Sequence, residues 1–148
     1  MKILVIHGPN LNMLGKREKS IYGEKTLPQI DALLKKEAGA LSVDVVTFQS
    51  NHEGALVDFI QEQADSARGI IINPGALTHC GFSLLDALAD SKLPVIEVHL
   101  SNIYRREEWR AKSLIAPIAE GQISGLGWRG YIAALQILVS KLKAKPSR

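Results

Sequence analysis

The sequence predicts an α/β domain built around a parallel β-sheet, and three observations support this prediction. Short apolar runs are continuous instead of alternating with polar residues, as in strands that are buried on both faces. Amphipathic helical patterns separate these runs, so that strand and helix alternate along the chain. The chain has 148 residues, of which 46% are apolar and 22% are charged. This size and composition predict one folded domain over residues 1–148.

Five runs are the predicted strands of the sheet. They are Ile3–Ile6, Val43–Phe48, Ile70–Ile72, Val95–Val98 and, more weakly, Gln122–Ser124. Because helices separate the strands, the strands need crossover connections, which are right-handed in almost all known cases. The first choice of topology for five such strands is a doubly wound, flavodoxin-like sheet in the order 2-1-3-4-5.

Helices are predicted where apolar residues recur at helical spacing. Thr26 is suited to cap the first helix, and Pro28 is suited to its first turn. A second helix follows Asn51, and the last one buries an apolar stripe within Tyr131–Leu142. The remaining helices are predicted over Phe82–Leu88 and, as a short one, around Glu107–Ser113.

The formal net charge of +3 does not predict binding to nucleic acid, because the excess lies at one end of the chain. Four of the 18 basic residues fall within 141–148, and without them 14 basic residues face 15 acidic ones. We expect 141–148 to be a solvated, frayed tail. No apolar stretch approaches the ~20 residues that a membrane span needs. The single cysteine, Cys80, excludes a disulfide framework and predicts a reducing compartment, the cytoplasm.

Polar residues collect just beyond the predicted strands, at the edge where open α/β sheets bind their ligands. All four histidines and four asparagines lie there, and they are His7, His52, His79, His99, Asn10, Asn51, Asn73 and Asn102. Each of these residues alone is most simply a turn residue, a helix cap or a loop support. Their convergence on one edge of the sheet is what predicts a functional site.

Several kinds of site lack their usual pattern in this sequence. The loop Gly8-Pro9-Asn10 has no Lys-Ser/Thr of a phosphate-binding loop, and no Gly-x-Gly-x-x-Gly follows the first strand. No lysine stands at a strand end where it could form a Schiff base. The histidines show no i, i+4 pair, and zinc ligands usually have closer spacing. These patterns argue against a phosphate-binding loop, a dinucleotide, a Schiff base and a metal site.

Acid–base chemistry on a small, oxygen-rich anion remains as the predicted function. Arginine suits the recognition of a carboxylate, and Arg106 and Arg110 are spaced to share a helix face. Both are also compatible with solvated side chains paired to neighbouring acids. Tyr22 is compatible with a tyrosine base beside Arg17, and equally with an aromatic anchor for its loop.

Blocks of sequence across nearly the whole chain resemble the type II 3-dehydroquinate dehydratases, the small dehydroquinases of the shikimate pathway. Several of the blocks are long and polar, and all occur in the order found in that family. They are His7–Gly15, Arg17-Glu18, Tyr22-Gly23, Gln49–Gly54, Ile71–Gly75, Thr78-His79, Asp86–Leu88, Glu97–Asn102, Arg106-Glu107, Trp109-Arg110 and Gly130-Tyr131.

The resemblance implies a flavodoxin-like fold and a dehydration of 3-dehydroquinate to 3-dehydroshikimate through an enolate, without metal, cofactor or Schiff base. In the implied mechanism Tyr22 removes the proton alpha to the ketone. Arg17 stabilises the anionic tyrosine and closes a lid over the site. Asn10 steadies the enolate, His99 protonates the departing hydroxyl, and Glu97 orients His99 or supports its charge.

The resemblance also implies the residues that bind the substrate and the assembly that they need. The residues that bind substrate oxygens are Asn73, His79, Leu100, Ser101 and Arg110. Asp86 reaches the site of an adjacent subunit. The family assembles as trimers, and four trimers form a dodecamer.

Two other functions stay open on the sequence. A binding protein of this fold would hold a ligand without chemistry, and it would not require Arg17, Tyr22 and His99 together. A metal-dependent hydrolase or lyase would use the histidines, and chelation would abolish its activity. Appearance of a conjugated enone after addition of 3-dehydroquinate distinguishes the expected enzyme from a binding protein.

Overall fold

The computed structural model describes residues 1–144. Its sheet has five parallel strands in the order β2-β1-β3-β4-β5, which confirms the predicted topology. The strands are β1 (Lys2–His7), β2 (Asp44–Gln49), β3 (Gly69–Asn73), β4 (Val95–His99) and β5 (Gly121–Ser124). The α-helices are α1 (Lys19–Tyr22), α2 (Leu27–Ala40), α3 (Glu53–Gln63), α4 (Leu77–Cys80), α5 (Phe82–Ser91) and α6 (Arg129–Ala144). Short 3₁₀ segments are Leu11–Met13, Ala64–Ser66, Ile103–Arg105, Glu108–Ala111 and Ala116–Ile118.

The central strands β1, β3 and β4 are buried on both faces, whereas the edge strands β2 and β5 are partly exposed. Successive side chains of a strand point to opposite faces, so one strand supplies two cores. Ile3 and Val5 pack with α2 and α6, and Leu4 and Ile6 pack with α3 and α5. The polar composition of Gln122–Ser124 is tolerated because β5 lies at an edge, which explains its weak signal in the sequence.

Helix α2 begins as predicted at Thr26. The Thr26 hydroxyl accepts from the Gln29 backbone N–H at 3.4 Å, and the Gln29 side chain accepts from the Thr26 N–H at 2.9 Å. This reciprocal capping box satisfies two backbone donors that the helix leaves without partners, and a cap of this kind contributes about 1 kcal/mol. The cap fixes the end of the loop that carries α1.

Helix α6 continues through Ala144, so the frayed tail that we expected over 141–148 is wrong for its first four residues. The physical reason is Leu142, which is 6% exposed and continues the buried stripe of the helix. Lys143 also donates to the backbone carbonyl just beyond α2 at 2.8 Å. The expectation for 145–148 lies outside the described residues. None of the helices within 1–144 has the length and apolar character that a membrane span requires.

The loops after β1 and β3 are packed directly on each other. A Cβ on Gly8 would lie 2.3 Å from the Pro74 carbonyl oxygen, and one on Gly75 would lie 3.0 Å from the Pro9 carbonyl oxygen. Gly75 also has a φ of +59°, a conformation that favours glycine. The two glycines therefore let two polar loops meet, and they bring Asn10 towards the loop that follows β3.

Candidate active site

A cavity of about 120 Å³ lies beyond the carboxyl ends of β1, β3 and β4. The chain leaves β1 towards β2 and returns to β3 on the other side of β1, so this is the switch point at which doubly wound sheets bind ligands. The size suits a small molecule rather than a dinucleotide. Nine predicted site residues line the cavity, and they are Asn10, Arg17, Tyr22, Asn73, His79, His99, Leu100, Ser101 and Arg110.

Tyr22 and Arg17 are held together on the loop that covers the cavity. Arg17 Nη2 donates to the Tyr22 hydroxyl oxygen at 2.8 Å, and the Arg17 guanidinium carbon lies 3.7 Å from the centre of the Tyr22 ring. A cation at this distance stabilises a phenolate. The ring of Tyr22 also packs against the core on the α2–α6 face. Tyr22 therefore anchors its loop and also presents a hydroxyl that a cation contacts.

Arg106, which the sequence offered only as an arginine suited to a carboxylate, also lines this cavity. Its guanidinium carbon lies 5.1 Å from the centre of the Tyr22 ring, and its Nη1 donates to Ser101 Oγ at 3.3 Å. Tyr22 thus lies near two cations from different loops. The prediction that Arg106 and Arg110 share a helix face is wrong, because only the 3₁₀ segment Glu108–Ala111 forms there and it begins after Arg106.

Arg110 lines the cavity and also forms an ion pair with an acidic neighbour. Its Nε donates to the Glu107 carboxylate, and its guanidinium carbon lies 4.2 Å from the centre of the Trp109 ring. The interpretation of Arg110 as a side chain paired to a neighbouring acid is therefore correct, and so is its placement at the cavity. An incoming carboxylate would compete with Glu107 for the same guanidinium.

Glu97 lies behind the cavity and fixes His99. Both residues belong to β4 and are two positions apart, so their side chains are on the same face of the sheet. The Glu97 side chain is fully buried and accepts four hydrogen bonds, from Thr78 Oγ1 (3.2 Å), His99 Nε2 (2.5 Å), Ser113 Oγ (2.6 Å) and Gln122 Nε2 (2.6 Å). Gln122 is brought beside Glu97 by the pairing of β4 with β5.

The environment of Glu97 keeps its carboxyl group ionised. Burial by itself opposes ionisation, but the hydrogen bonds from His99, Ser113 and Gln122 outweigh it and hold the pKa of Glu97 below its ordinary value of 4.5. A carboxylate accepts hydrogen bonds only, so His99 must carry its proton on Nε2. This leaves Nδ1 of His99 for a molecule in the cavity that His99 lines.

His79 is oriented by a different contact. Its Nδ1 lies 2.7 Å from the backbone carbonyl oxygen of Lys112, and its ring meets the Trp109 ring edge-on with the two centres 5.1 Å apart. A carbonyl oxygen can only accept, so Nδ1 is the protonated nitrogen. Nε2 of His79 is then the nitrogen that can meet a ligand hydroxyl or carboxylate.

The two asparagines of the site are set by the backbone around them. Asn10 has a φ of 71° in the left-handed region, and its N–H donates to Asn51 Oδ1 at 2.9 Å. Asn73 is 3% exposed, and its Oδ1 accepts from the Gly75 N–H at 3.1 Å. Asn10 therefore reaches the cavity from the loop after β1, and Asn73 reaches it from the end of β3.

Asp86 does not contribute to the cavity of its own chain. It is exposed on α5 and is not among the residues that line that cavity. His52 is exposed just before α3. Within residues 1–144, no three histidine, cysteine or acidic side chains are grouped so that they could hold a metal ion.

The fold and the site define a class of protein that handles a small polar molecule between a tyrosine beside two arginines and a histidine backed by a carboxylate. Comparison with known proteins agrees with this class. The family model described as "Dehydroquinase class II" matches residues 1–139. A protein named 3-dehydroquinate dehydratase from Roseiflexus castenholzii is 63% identical over 139 residues, which cover 94% of this chain and 88% of that protein.

Further relatives show the same likeness. A protein named 3-dehydroquinate dehydratase from Halothermothrix orenii is 52% identical over 142 residues, or 96% of each chain. The crystal structure of a type II dehydroquinase from Butyrivibrio crossotus has a TM-score of 0.90 and 48% sequence identity, and covers 93% of this chain and 97% of that one. The chain belongs to the class II dehydroquinase family, and the resemblance predicted from its sequence blocks is confirmed.

Proposed function

We propose that this chain is a 3-dehydroquinate dehydratase that forms 3-dehydroshikimate through an enolate, in the shikimate pathway or in quinate breakdown. Its relatives carry that enzyme name. The single observation that supports the mechanism is the content of the cavity. A tyrosine hydroxyl bonded to a guanidinium and a histidine bonded to an ionised carboxylate line the same small space.

The first step is removal of the weakly acidic proton alpha to the ketone. Tyr22 takes this proton as a phenolate. The Arg17 guanidinium donates to its oxygen and Arg106 lies over its ring, so both cations favour the negative form. The electron pair of the broken C–H bond moves onto the ketone oxygen and gives the enolate. This charge needs a polar donor in place, and Asn10 supplies that donor, directly or through a water molecule.

The second step is loss of the hydroxyl group. His99 donates a proton from Nδ1 to the departing oxygen, which leaves as water, while the enolate electrons return to form the carbon–carbon double bond. The Nε2–H of His99 stays on the ring and donates to Glu97 throughout, because the ionised carboxylate can only accept. Glu97 thus stabilises the charged form of the ring before the transfer.

The substrate carries a carboxylate and ring hydroxyls, and the cavity has matched groups around it. His79 presents Nε2, and Asn73 presents the free part of its amide. The Leu100 backbone and the Ser101 hydroxyl come from the loop that follows β4, where both residues are buried. Arg110 is the charged group that we assign to the ring hydroxyls or the carboxylate environment.

The decisive test adds 3-dehydroquinate to the purified protein and follows the absorbance of the conjugated enone product. We expect turnover that survives exhaustive chelation. Borohydride added with the substrate should leave the mass of the enzyme and its activity unchanged, because no imine forms. Absence of the enone would refute the function, whereas a substrate-sized adduct on a lysine would refute the enolate mechanism alone.

We also propose that the enzyme acts in the cytoplasm as a homo-oligomer, a dodecamer of four trimers, as the family resemblance implies. The exposed free thiol of Cys80 suits a reducing compartment. The position of Asp86 supports the proposed assembly, because Asp86 is exposed on α5 and lies outside the cavity of its own chain. We assign Asp86 to the site of a neighbouring subunit.

Mixed oligomers test this assignment. Asp86→Ala and His99→Ala subunits are each expected to be inactive alone, and their mixture is expected to regain part of the activity, because some sites then combine an intact Asp86 with an intact His99. Asp90→Ala, which removes another exposed aspartate of α5, serves as the control and should stay active. No recovery in oligomers that are shown to be mixed would exclude a shared site.

A further inference from the structure

A network of hydrogen-bonded polar side chains, most of them buried, lies on the α2–α6 face of the sheet. His7 is the last residue of β1, and its side chain is fully buried. Its Nε2 lies 2.8 Å from Asp31 Oδ1 on α2, and its Nδ1 lies 3.0 Å from the Tyr131 hydroxyl on α6. Tyr131 is also fully buried. These contacts join residues that are up to 124 positions apart in the sequence.

The network continues to Asn73, which is the residue that pairs with His7 across β1 and β3. Burial raises the pKa of Tyr131 above its ordinary value, and a hydrogen bond from the Asn73 side chain to the Tyr131 hydroxyl partly offsets this effect. Tyr131 therefore stays a phenol. Of the residues in this network, Asn73 is the one that lines the cavity.

Each hydrogen bond of this network can be assigned a donor and an acceptor, starting from Asp31. The Asp31 carboxylate only accepts, so His7 donates from Nε2 and is left with an unprotonated Nδ1. The Tyr131 hydroxyl donates to that nitrogen, and its oxygen accepts from the amide of Asn73. The other end of that amide, Oδ1, is taken by the Gly75 N–H. One N–H of Asn73 is then left for the cavity.

We propose that Tyr131, His7 and Asp31 are positioning residues that fix the amide of Asn73 so that it presents an N–H donor to a substrate oxygen. The proposal rests on the proposed function, in which Asn73 binds the substrate. Without these three residues only the bond from the Gly75 N–H would hold the amide, and a turned amide would present its carbonyl oxygen to the same substrate group. The three residues act through Asn73 and do not touch the reacting atoms.

The test compares steady-state kinetics with 3-dehydroquinate for Tyr131→Phe, Asn73→Ala and the double variant. Tyr131→Phe keeps the ring and removes the hydroxyl, and kcat/KM should fall about tenfold, the effect of one hydrogen bond, chiefly through a higher KM. In the Asn73→Ala background the same change should cause no further loss, because Tyr131 then has nothing left to position. Val139→Ala is the matched control, since it truncates another buried residue of α6 and should leave KM unchanged.

Asp31 provides a second variant if Tyr131→Phe does not fold, because its side chain is 22% exposed. Asp31→Asn replaces the carboxylate that accepts from His7 Nε2 with a neutral amide, a weaker acceptor, and KM should rise. Asp31→Glu restores a carboxylate and should recover part of the affinity.

The outcomes separate this proposal from the proposed function. A wild-type protein without turnover would contradict the function itself, and a fully active Asn73→Ala would contradict the role of Asn73. With both of these intact, an unchanged KM in Tyr131→Phe and Asp31→Asn would overturn the positioning role. An equal loss from Tyr131→Phe with and without Asn73 would overturn it too, because the hydroxyl would then act by another route.

Discussion

Replacement of Tyr22 by phenylalanine is expected to lower kcat about 10²–10⁴-fold, the usual contribution of a general base, while the substrate still binds. The substitution keeps the ring that packs against the core and removes the hydroxyl to which Arg17 donates. Stopped-flow or steady-state measurement of enone formation gives kcat, and the thermal midpoint verifies the fold. Near-normal turnover would make Tyr22 a loop anchor alone, and the base would then be sought elsewhere, with His79 as the next candidate.

Arg17→Ala should also lose turnover, because the phenolate loses the guanidinium that contacts its oxygen. The losses from Tyr22→Phe and Arg17→Ala should not add in the double variant, because both act through one phenolate. Arg68→Ala, which removes an exposed arginine outside the cavity, is the matched control. Additive losses would show that Arg17 has an independent role.

Glu97→Gln is expected to reduce kcat about 10²–10⁴-fold, the range for loss of acid–base catalysis. The amide has a single acceptor oxygen, yet four donors surround this position. At least one buried donor loses its partner, which costs about 1–3 kcal/mol in the free energy of unfolding. His99 also loses the carboxylate that accepts its Nε2 proton. Wild-type kinetics in Glu97→Gln would remove Glu97 from the mechanism.

The pH dependence of stability gives a second measurement on Glu97. Its pKa is lower in the folded protein than its ordinary value of 4.5. The stabilisation from the ionised group is therefore fully present above about pH 4.5, the ordinary value, and is lost as the pH falls through the folded pKa. The difference in free energy of unfolding between the wild type and Glu97→Gln should narrow on acidification. Glu62→Gln, at an exposed position of α3, should show no such trend.

Much of the fold was predictable because the strands of a doubly wound sheet are buried on both faces. Continuous apolar runs indicate central strands at Ile3–Ile6 and Ile70–Ile72. The site was predicted at the carboxyl ends of these strands. The convergence of His79, His99 and Asn73 on one edge followed from parallel topology alone. The end of α6 was missed, because a run of lysines outweighed the single buried Leu142 in the sequence pattern.

The remaining features of the site depend on contacts between distant residues. Two neighbouring arginines follow β4 in the sequence, and no periodicity shows that Arg106 turns towards Tyr22 while Arg105 does not line that cavity. The bond between His7 and Tyr131 spans 124 positions, so only the packing of α6 over β1 makes it visible. Family blocks at both ends of the chain contained these residues, but their roles became apparent only from their partners.

The residues that we assign to the two steps of the proposed reaction lie in parts of the chain that differ in burial. Glu97, His99 and Asn73 belong to central strands that are buried on both faces, whereas Arg17 and Tyr22 lie on a loop of intermediate and exposed residues. An inhibitor that takes its affinity from the strand ends would leave an organism few routes to resistance. Substitutions at those positions would damage the core as well as the proposed acid, and substitution of Tyr22 in the loop would remove the proposed base.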